Sequence, residues 1–419
     1  MLEKCKHPRF AWILALMPVL SLYGISSINL DFGTIVIIVI IIYIALKEKR
    51  VYLQISNNRI WFLYLAYMVV SLAFPRLWGI NSDASMVMRT IKNVIYILLL
   101  LISTSNNWIN YQLFKECYMK ICKLATIFIL IQSVAFYVFH RTIPGYVNFM
   151  LISEGYGDRL SQPVTGLYRP TSFFYEPSHY FEYVVPSLII SLFGNERNIT
   201  NKDIYFALLV SIGVVFSTSG MGMITLALCW GIWLLKNGKG LNIRKNVLLI
   251  SILFLCAAVA FLRTSYAQSI LLRVFGNAAS GVTYTAVNAR TDVYEEIFKQ
   301  GFVRVFLGNG YGNTLGDYYF PSWAFNIWCL GIAGSFIICC IYIKYFFATK
   351  RDDTRMIVFI NAFLSVGTTL FMGKNLFLYF LIIILQVQEI EYAKKIYCGN
   401  DRFILSSHDH EREYCTKHS

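Results

Sequence analysis

The sequence predicts an all-α integral membrane protein, a polytopic helical bundle of about twelve transmembrane helices with two long extracytoplasmic loops. Three observations lead there. The chain of 419 residues is 57% hydrophobic and 14% charged, with a mean hydropathy of +0.56, whereas a soluble domain carries about 25% charged residues. Apolar runs of near-spanning length recur from one end of the chain to the other. Short basic segments separate them in alternation.

The apolar runs cover residues 10–28, 31–46, 60–75, 88–104, 119–139, 179–194, 203–218, 220–235, 246–263, 324–345, 355–372 and 375–391. Several fall short of the ~20 residues that cross a bilayer unaided. The turn Ser217-Thr218-Ser219-Gly220 between the seventh and eighth is tight. The first run lacks a small-residue cleavage site, which predicts a retained span rather than a leader. With the N-terminus inside, the inner segments hold roughly two thirds of the 37 Lys and Arg, and every short inner loop is basic. Both termini are then cytoplasmic. This bias accounts for the net charge of +14 without nucleic acid as a partner.

The membrane domain runs over 1–391, with outer loops at about 140–178 and 264–323, and a polar cytoplasmic tail follows over 392–419. Loops of this length without a disorder signal are usually functional. The tail reads as solvated and unpacked, its His408, His410 and His418 included. The ten cysteines lie in apolar runs or inner segments, so disulfides are not expected, and no CxxC pair suggests zinc. No internal repeat is evident.

Chemistry concentrates in the outer loops. Arg169-Pro170-Thr171-Ser172-Phe173-Phe174-Tyr175-Glu176-Pro177-Ser178-His179-Tyr180 puts an arginine and a glutamate at the membrane surface, on backbone fixed by two prolines. The residues read either as a functional pair or as a structural tie for the loop. Phe173, Phe174, Tyr175 and Tyr180 offer an apolar or sugar-stacking wall, and His179 is a proton carrier or simply a helix start. In the second loop, Val293, Ile297 and Phe298 are spaced as one face of an amphipathic helix from Asp292 to Phe302, with Thr291 or Asn288 as its cap. Arg290 would then stand at the helix N-terminus, where amides favour anions and a guanidinium grips phosphate; the plainer reading is a surface arginine. Gly308-Asn309-Gly310-Tyr311-Gly312 would let backbone approach a substrate closely. It is not a GxGxxG fingerprint and lacks a βαβ context, so no nucleotide cofactor is expected. Arg159, Arg263, Arg273 and Arg304, with Arg89 and Lys92, make the outer side more basic than the positive-inside bias allows, as a polyanionic ligand such as a pyrophosphate would require.

The segment 169–178 resembles the signature of bacterial O-antigen and capsule polymerases, the Wzy family. Phe216-Ser217-Thr218-Ser219-Gly220-Met221-Gly222 is similar to that family's small-residue turn. Arg290 with its helix and 308–312 is similar to the later part of its second outer loop, and Phe325-Asn326-Ile327-Trp328 with Gly331 and Gly334 to the span after it. The resemblance covers about 160–335 and rests on order and spacing. It implies a GT-C-like, metal-independent, inverting glycosyltransferase without a cofactor. Undecaprenyl-pyrophosphate-linked oligosaccharide would be both donor and acceptor on the outer face of a bacterial cytoplasmic membrane, with a chain-length regulator as a further partner. Arg169 and Arg290 would stabilise the leaving pyrophosphate and Glu176 would activate the attacking hydroxyl or orient an arginine. Arg159, Tyr175, His179, Arg273, Arg304, Gly308, Gly310, Tyr311 and Asn326 would bind substrate.

Two other functions compete. The related O-antigen ligases usually carry a histidine in the second long loop, and this chain has none between His179 and His408. A transporter or flippase of lipid-linked sugars would be expected to show inverted repeats and broken midplane helices, which the sequence does not suggest. A structural scaffold would not need the outer arginines.

Overall fold

A computed structural model gives the fold and describes residues 8–25, 30–47, 52–80, 84–106, 108–147, 150–152, 168–194, 200–237, 268, 287–316, 318–371 and 373–400. The elements in order are α1 (Pro8–Leu20), β1 (Gly24–Ile25), β2 (Leu30–Asp31), α2 (Phe32–Lys47), α3 (Ile55–Ser71), α4 (Phe74–Leu77), α5 (Ala84–Ser105), α6 (Tyr111–Phe139), α7 (Pro177–Phe193), α8 (Asn201–Phe216), α9 (Gly220–Asn237), α10 (Asn288–Phe298), α11 (Phe302–Leu307), α12 (Ser322–Phe347), α13 (Asp352–Leu364) and α14 (Gly373–Asn400). The two strands form one antiparallel pair of two residues each. The rest is a helical membrane protein.

Among the described residues, four helical stretches are long and apolar enough to cross a bilayer: Ser85–Ser105, Tyr111–Phe139, Ser322–Phe347 and Gly373–Glu391. Helices also lie over the other apolar runs, except 246–263, which falls outside the described residues. The last helix continues to Asn400, past the expected start of the tail at 392.

Local chemistry sets several helix ends. Asp31 accepts from the Thr34 amide at 2.8 Å and from its hydroxyl at 2.9 Å, which starts α2. Asn110 accepts from the Leu113 amide at 2.9 Å and starts α6. Thr200 and Asp203 form a capping box at α8.

Two helices occupy the centre. α7 is buried along almost its whole length, and α14 packs against α1, α5, α6, α7, α12 and α13. Pro186 interrupts α7: it has no N–H for the Glu182 carbonyl one turn back. The Tyr379 hydroxyl on α14 donates to that carbonyl at 2.8 Å instead. This is how a proline is tolerated inside a buried helix, where an orphaned carbonyl finds no water. The same substitution ties the two central helices together.

α12 is kinked at Gly331 (φ 65°). There the carbonyls of Trp328 and Cys329 accept from the backbone amides of Asn309 and Gly310, each at 2.9 Å. A Cβ on Gly308 (φ 91°) would lie 2.4 Å from the Cys329 oxygen, and one on Gly331 would lie 2.2 Å from the Phe306 oxygen. The glycine-rich turn thus docks backbone to backbone on the α12 kink.

The second long loop also differs from expectation. Its helix α10 starts at Asn288, with Val287 at the cap position and no side-chain cap. Arg290 therefore lies within the first turn rather than ahead of it. Val293 and Ile297 are buried while Phe298 is exposed: the first two are separated by one helical turn, and Phe298 is rotated off that face. At the opposite end of the bundle, Arg351 clamps the buried Asp353 at 2.6 Å and Glu389 at 2.9 Å.

Candidate functional site

The segment 168–178 is docked on α6. The Ser172 amide donates to Gln132 at 2.9 Å, and its hydroxyl to the Ala125 carbonyl at 2.8 Å, with Ser172 at φ 55°. Tyr168 stacks on Phe136 at 4.4 Å and Phe173 on Phe128 at 4.6 Å. Phe174 and Tyr180 are core residues, and the Tyr180 hydroxyl pairs with Thr126 at 2.9 Å. Of the four expected wall aromatics, three are thus spent on packing, which leaves Tyr175 beside His179 at 5.8 Å. The His179 Nδ1 is buried without a hydrogen-bond partner among the described residues. Arg169 Nε donates to the Thr218 hydroxyl at 3.2 Å. Glu176 occupies the cap position of α7 without capping it, and its carboxylate accepts from Ser178 at 3.0 Å.

Arg290 meets this group from α10. Its Nε donates to the Gly367 carbonyl at 2.8 Å, and its guanidinium lies 5.2 Å over the Tyr319 ring. Tyr319 is within electrostatic reach of Glu182, Arg290 and Glu176. Glu182, on α7, is 2% exposed and accepts from Asn375 Nδ2 on α14 at 2.8 Å. Lys374, Glu176 and Arg290 all act on its carboxylate. Lys374 donates to Ser21 at 2.8 Å. Glu176, Glu182, Arg290, Tyr319 and Lys374 therefore form one charged group where the two central helices meet the loops.

A cavity of about 560 Å3 adjoins it, lined by Asp31, Arg89, Lys92, Lys374, Tyr318 and Tyr319 among others. Lys92 faces Asp31 at 3.8 Å. Arg89 donates to the Gly312 carbonyl at 3.1 Å and to the Thr314 hydroxyl at 2.8 Å, which fixes the loop above the cavity.

The remaining sequence candidates lie apart from this group or outside what is described. Arg304 stacks over Trp78 at 5.5 Å and donates to its carbonyl at 3.0 Å. Gly308 packs on the α12 kink, and Gly310 donates its amide to the Cys329 carbonyl there while its α-carbon abuts Pro75 and the Ser71 carbonyl. Tyr311 lines the cavity but is buried against Phe325. Asn326 is wholly buried, accepting from Tyr64 at 3.1 Å and donating to Ser335 at 3.0 Å. Arg159 and Arg273 lie outside the described residues. Among the described residues, no group of three or more His, Cys, Asp or Glu gathers as a metal site.

Sequence reasoning missed Glu182, Lys374, Asp31 and Tyr319. For Glu182 and Lys374 a signal was present, since each is an ionisable residue in or at an apolar run. Tyr319 carried none, being one of 28 tyrosines.

A scan against protein-family models finds no match, and searches of curated proteins and of solved structures find none either.

Proposed function

We propose that the chain is a polysaccharide polymerase that joins undecaprenyl-pyrophosphate-linked repeat units on the outer face of a bacterial cytoplasmic membrane. In this reading the bundle has about twelve GT-C-like spans and both termini are cytoplasmic. The observation that carries it is Arg290 stacked over Tyr319 at 5.2 Å, within electrostatic reach of Glu182, with Glu176 acting on Tyr319 as well. The acceptor sugar's hydroxyl attacks the anomeric carbon of the donor, and undecaprenyl pyrophosphate departs. Arg290 stabilises the charge that develops on the leaving group, with Arg169 as the second cation. Glu176, only partly buried and free of a capping role, takes the hydroxyl proton. Glu182 and Asn375 hold the floor beneath it.

The test is a gel of glycan made by purified protein from lipid-linked repeat units, with EDTA and without nucleotide sugar. A ladder of products supports a metal-independent polymerase. A single transfer that appears only with lipid A core would replace this reading with a ligase, and no transfer to either acceptor would replace it with transport.

A further inference from the structure

Two separate helices measure the depth at which α11 and the glycine-rich turn lie. On α12 the turn docks at the Gly331 kink. From Gly331 to Lys344, near the far end of α12, is about 20 Å of helix. On α3 the Ser71 hydroxyl accepts from the Tyr311 amide at 3.0 Å, and from Ser71 to Asn57 is again about 20 Å. The two far ends are level, because the Lys344 ammonium donates to the Asn57 carbonyl. The hydrocarbon of a bilayer is about 30 Å thick. With Lys344 and Asn57 at one polar boundary, the turn and the end of α11 lie about 10 Å inside the other.

The side chains are distributed as that depth demands. Irregular backbone is tolerated at membrane depth only where protein encloses it. In the turn, Asn309 and Tyr311 are each 1% exposed. The Leu307 and Gly308 carbonyls accept from the Tyr67 hydroxyl and the Trp78 indole, each at 3.0 Å. α11 presents the opposite surface. Phe302 is 80% exposed, Val303 and Phe306 are exposed as well, and the two phenylalanine rings stack at 6.2 Å. Arg304, the one charged residue of α11, is held by the ring and carbonyl of Trp78. The Phe306 carbonyl abuts Gly331. Next along α12 come Ile332 and Phe336, both exposed on a helix long and apolar enough to cross a bilayer. The apolar surface of α11 therefore continues that of α12, and lipid that covers one reaches the other.

We propose that residues 301–313 form a re-entrant segment sunk into the leaflet on the loop-bearing side, with Phe302, Val303 and Phe306 against the acyl chains of phospholipids. Hydropathy places these residues in an extracytoplasmic loop because α11 is far too short to register as a span. α10 joins this anchor through Lys299, Gln300 and Gly301, so the anchor holds the helix that carries Arg290. Immersion of the segment requires only a helical membrane protein and holds whatever the reaction is.

Full-length protein carrying p-benzoylphenylalanine in place of Phe302, or of Phe306, is reconstituted in dioleoylphosphatidylcholine nanodiscs and irradiated. The labelled peptides are weighed before and after mild alkaline hydrolysis. The same replacement at Phe336 on α12 is the lipid-facing reference, and at Lys202, exposed in the first turn of α8, the water-facing one. Phospholipid adducts are expected at 302 and 306 as at 336, with a fatty acid left on the peptide after hydrolysis, and none at 202. A lack of adducts at 302 and 306 where 336 gives them would overturn the proposal. So would adducts that keep only the headgroup after hydrolysis, or a crosslinked pair of chains in place of lipid. Should the Phe306 variant fail to fold, position 302, which packs against little but Phe306, decides alone.

Discussion

Arg169 donates its Nε proton to the hydroxyl of Thr218 at 3.2 Å across 49 positions of sequence. The bond joins the segment that opens α7 to the turn between α8 and α9. Thr218 holds a left-handed backbone (φ 56°) and is buried, a costly place for a β-branched residue. Its hydroxyl orients a guanidinium whose charge the proposed chemistry uses.

Thr218→Ala should therefore lower the rate of chain growth about tenfold, as expected for losing a hydrogen bond to a charged group. Polymer made on lipid-linked repeat units by membranes with matched protein levels measures it. An unchanged rate would reduce this bond to packing.

Arg290→Ala should lower chain growth by roughly 10²–10³, the scale of removing one fixed charge stabiliser, while the protein still inserts. Arg290→Lys should do nearly as much harm, because an ammonium cannot keep both the Gly367 bond and the stack on Tyr319. Arg169→Ala is expected to abolish polymer as well. Normal polymer from both Arg→Ala variants would remove the pyrophosphate assignment.

The membrane class and the positions of most helices were legible in the sequence because hydropathy reports burial directly. The loops were harder. Arg290 was legible as a cation near a helix start, but its partner Tyr319 and the Gly367 carbonyl arrive from elsewhere in the chain, and no local pattern encodes such a meeting. The turn 308–312 was legible as unusual backbone, yet its purpose depends on a kink at Gly331, which a single glycine in an apolar run does not announce. Glu182 was visible as a carboxylate in an apolar run, but it was overshadowed by Glu176 in the segment held by Pro170 and Pro177.

Gly308→Ala and Gly331→Ala should each destabilise the protein by ~2 kcal/mol or more, combining strain of roughly 1–3 kcal/mol with backbone overlap. Gly301→Ala, where an added Cβ meets nothing within 4 Å, is the control and should melt like the parent. Thermal unfolding in nanodiscs decides. A Gly308→Ala protein as stable as the control would mean that the turn and the kink are not locked together.

Glu182→Gln leaves the Asn375 contact available but removes the carboxyl group on which Lys374 and Arg290 act. Chain growth is expected to fall about tenfold or more. Full activity would show that the carboxylate is only a spacer between α7 and α14.

Arg304→Ala should cost about 1–2 kcal/mol of stability through loss of the Trp78 stack and hydrogen bond, with chain growth per folded molecule unchanged. A loss of activity without a change in melting would return Arg304 to the substrate.

The position of α14 bears on biogenesis. Within Gly373–Glu391, 72% is enclosed by other helices, and it is the last long helix of the described chain to leave the ribosome. Until it emerges, the earlier helices lack one of the two central elements, with Glu182 lacking Asn375 and Lys374 and the Glu182 carbonyl lacking Tyr379. Packing of the centre is then a late event in which α14 slots between its neighbours. A nascent chain stalled before residue 373 would hold helices whose polar groups on α7 still wait for their α14 partners, an incompletely packed intermediate.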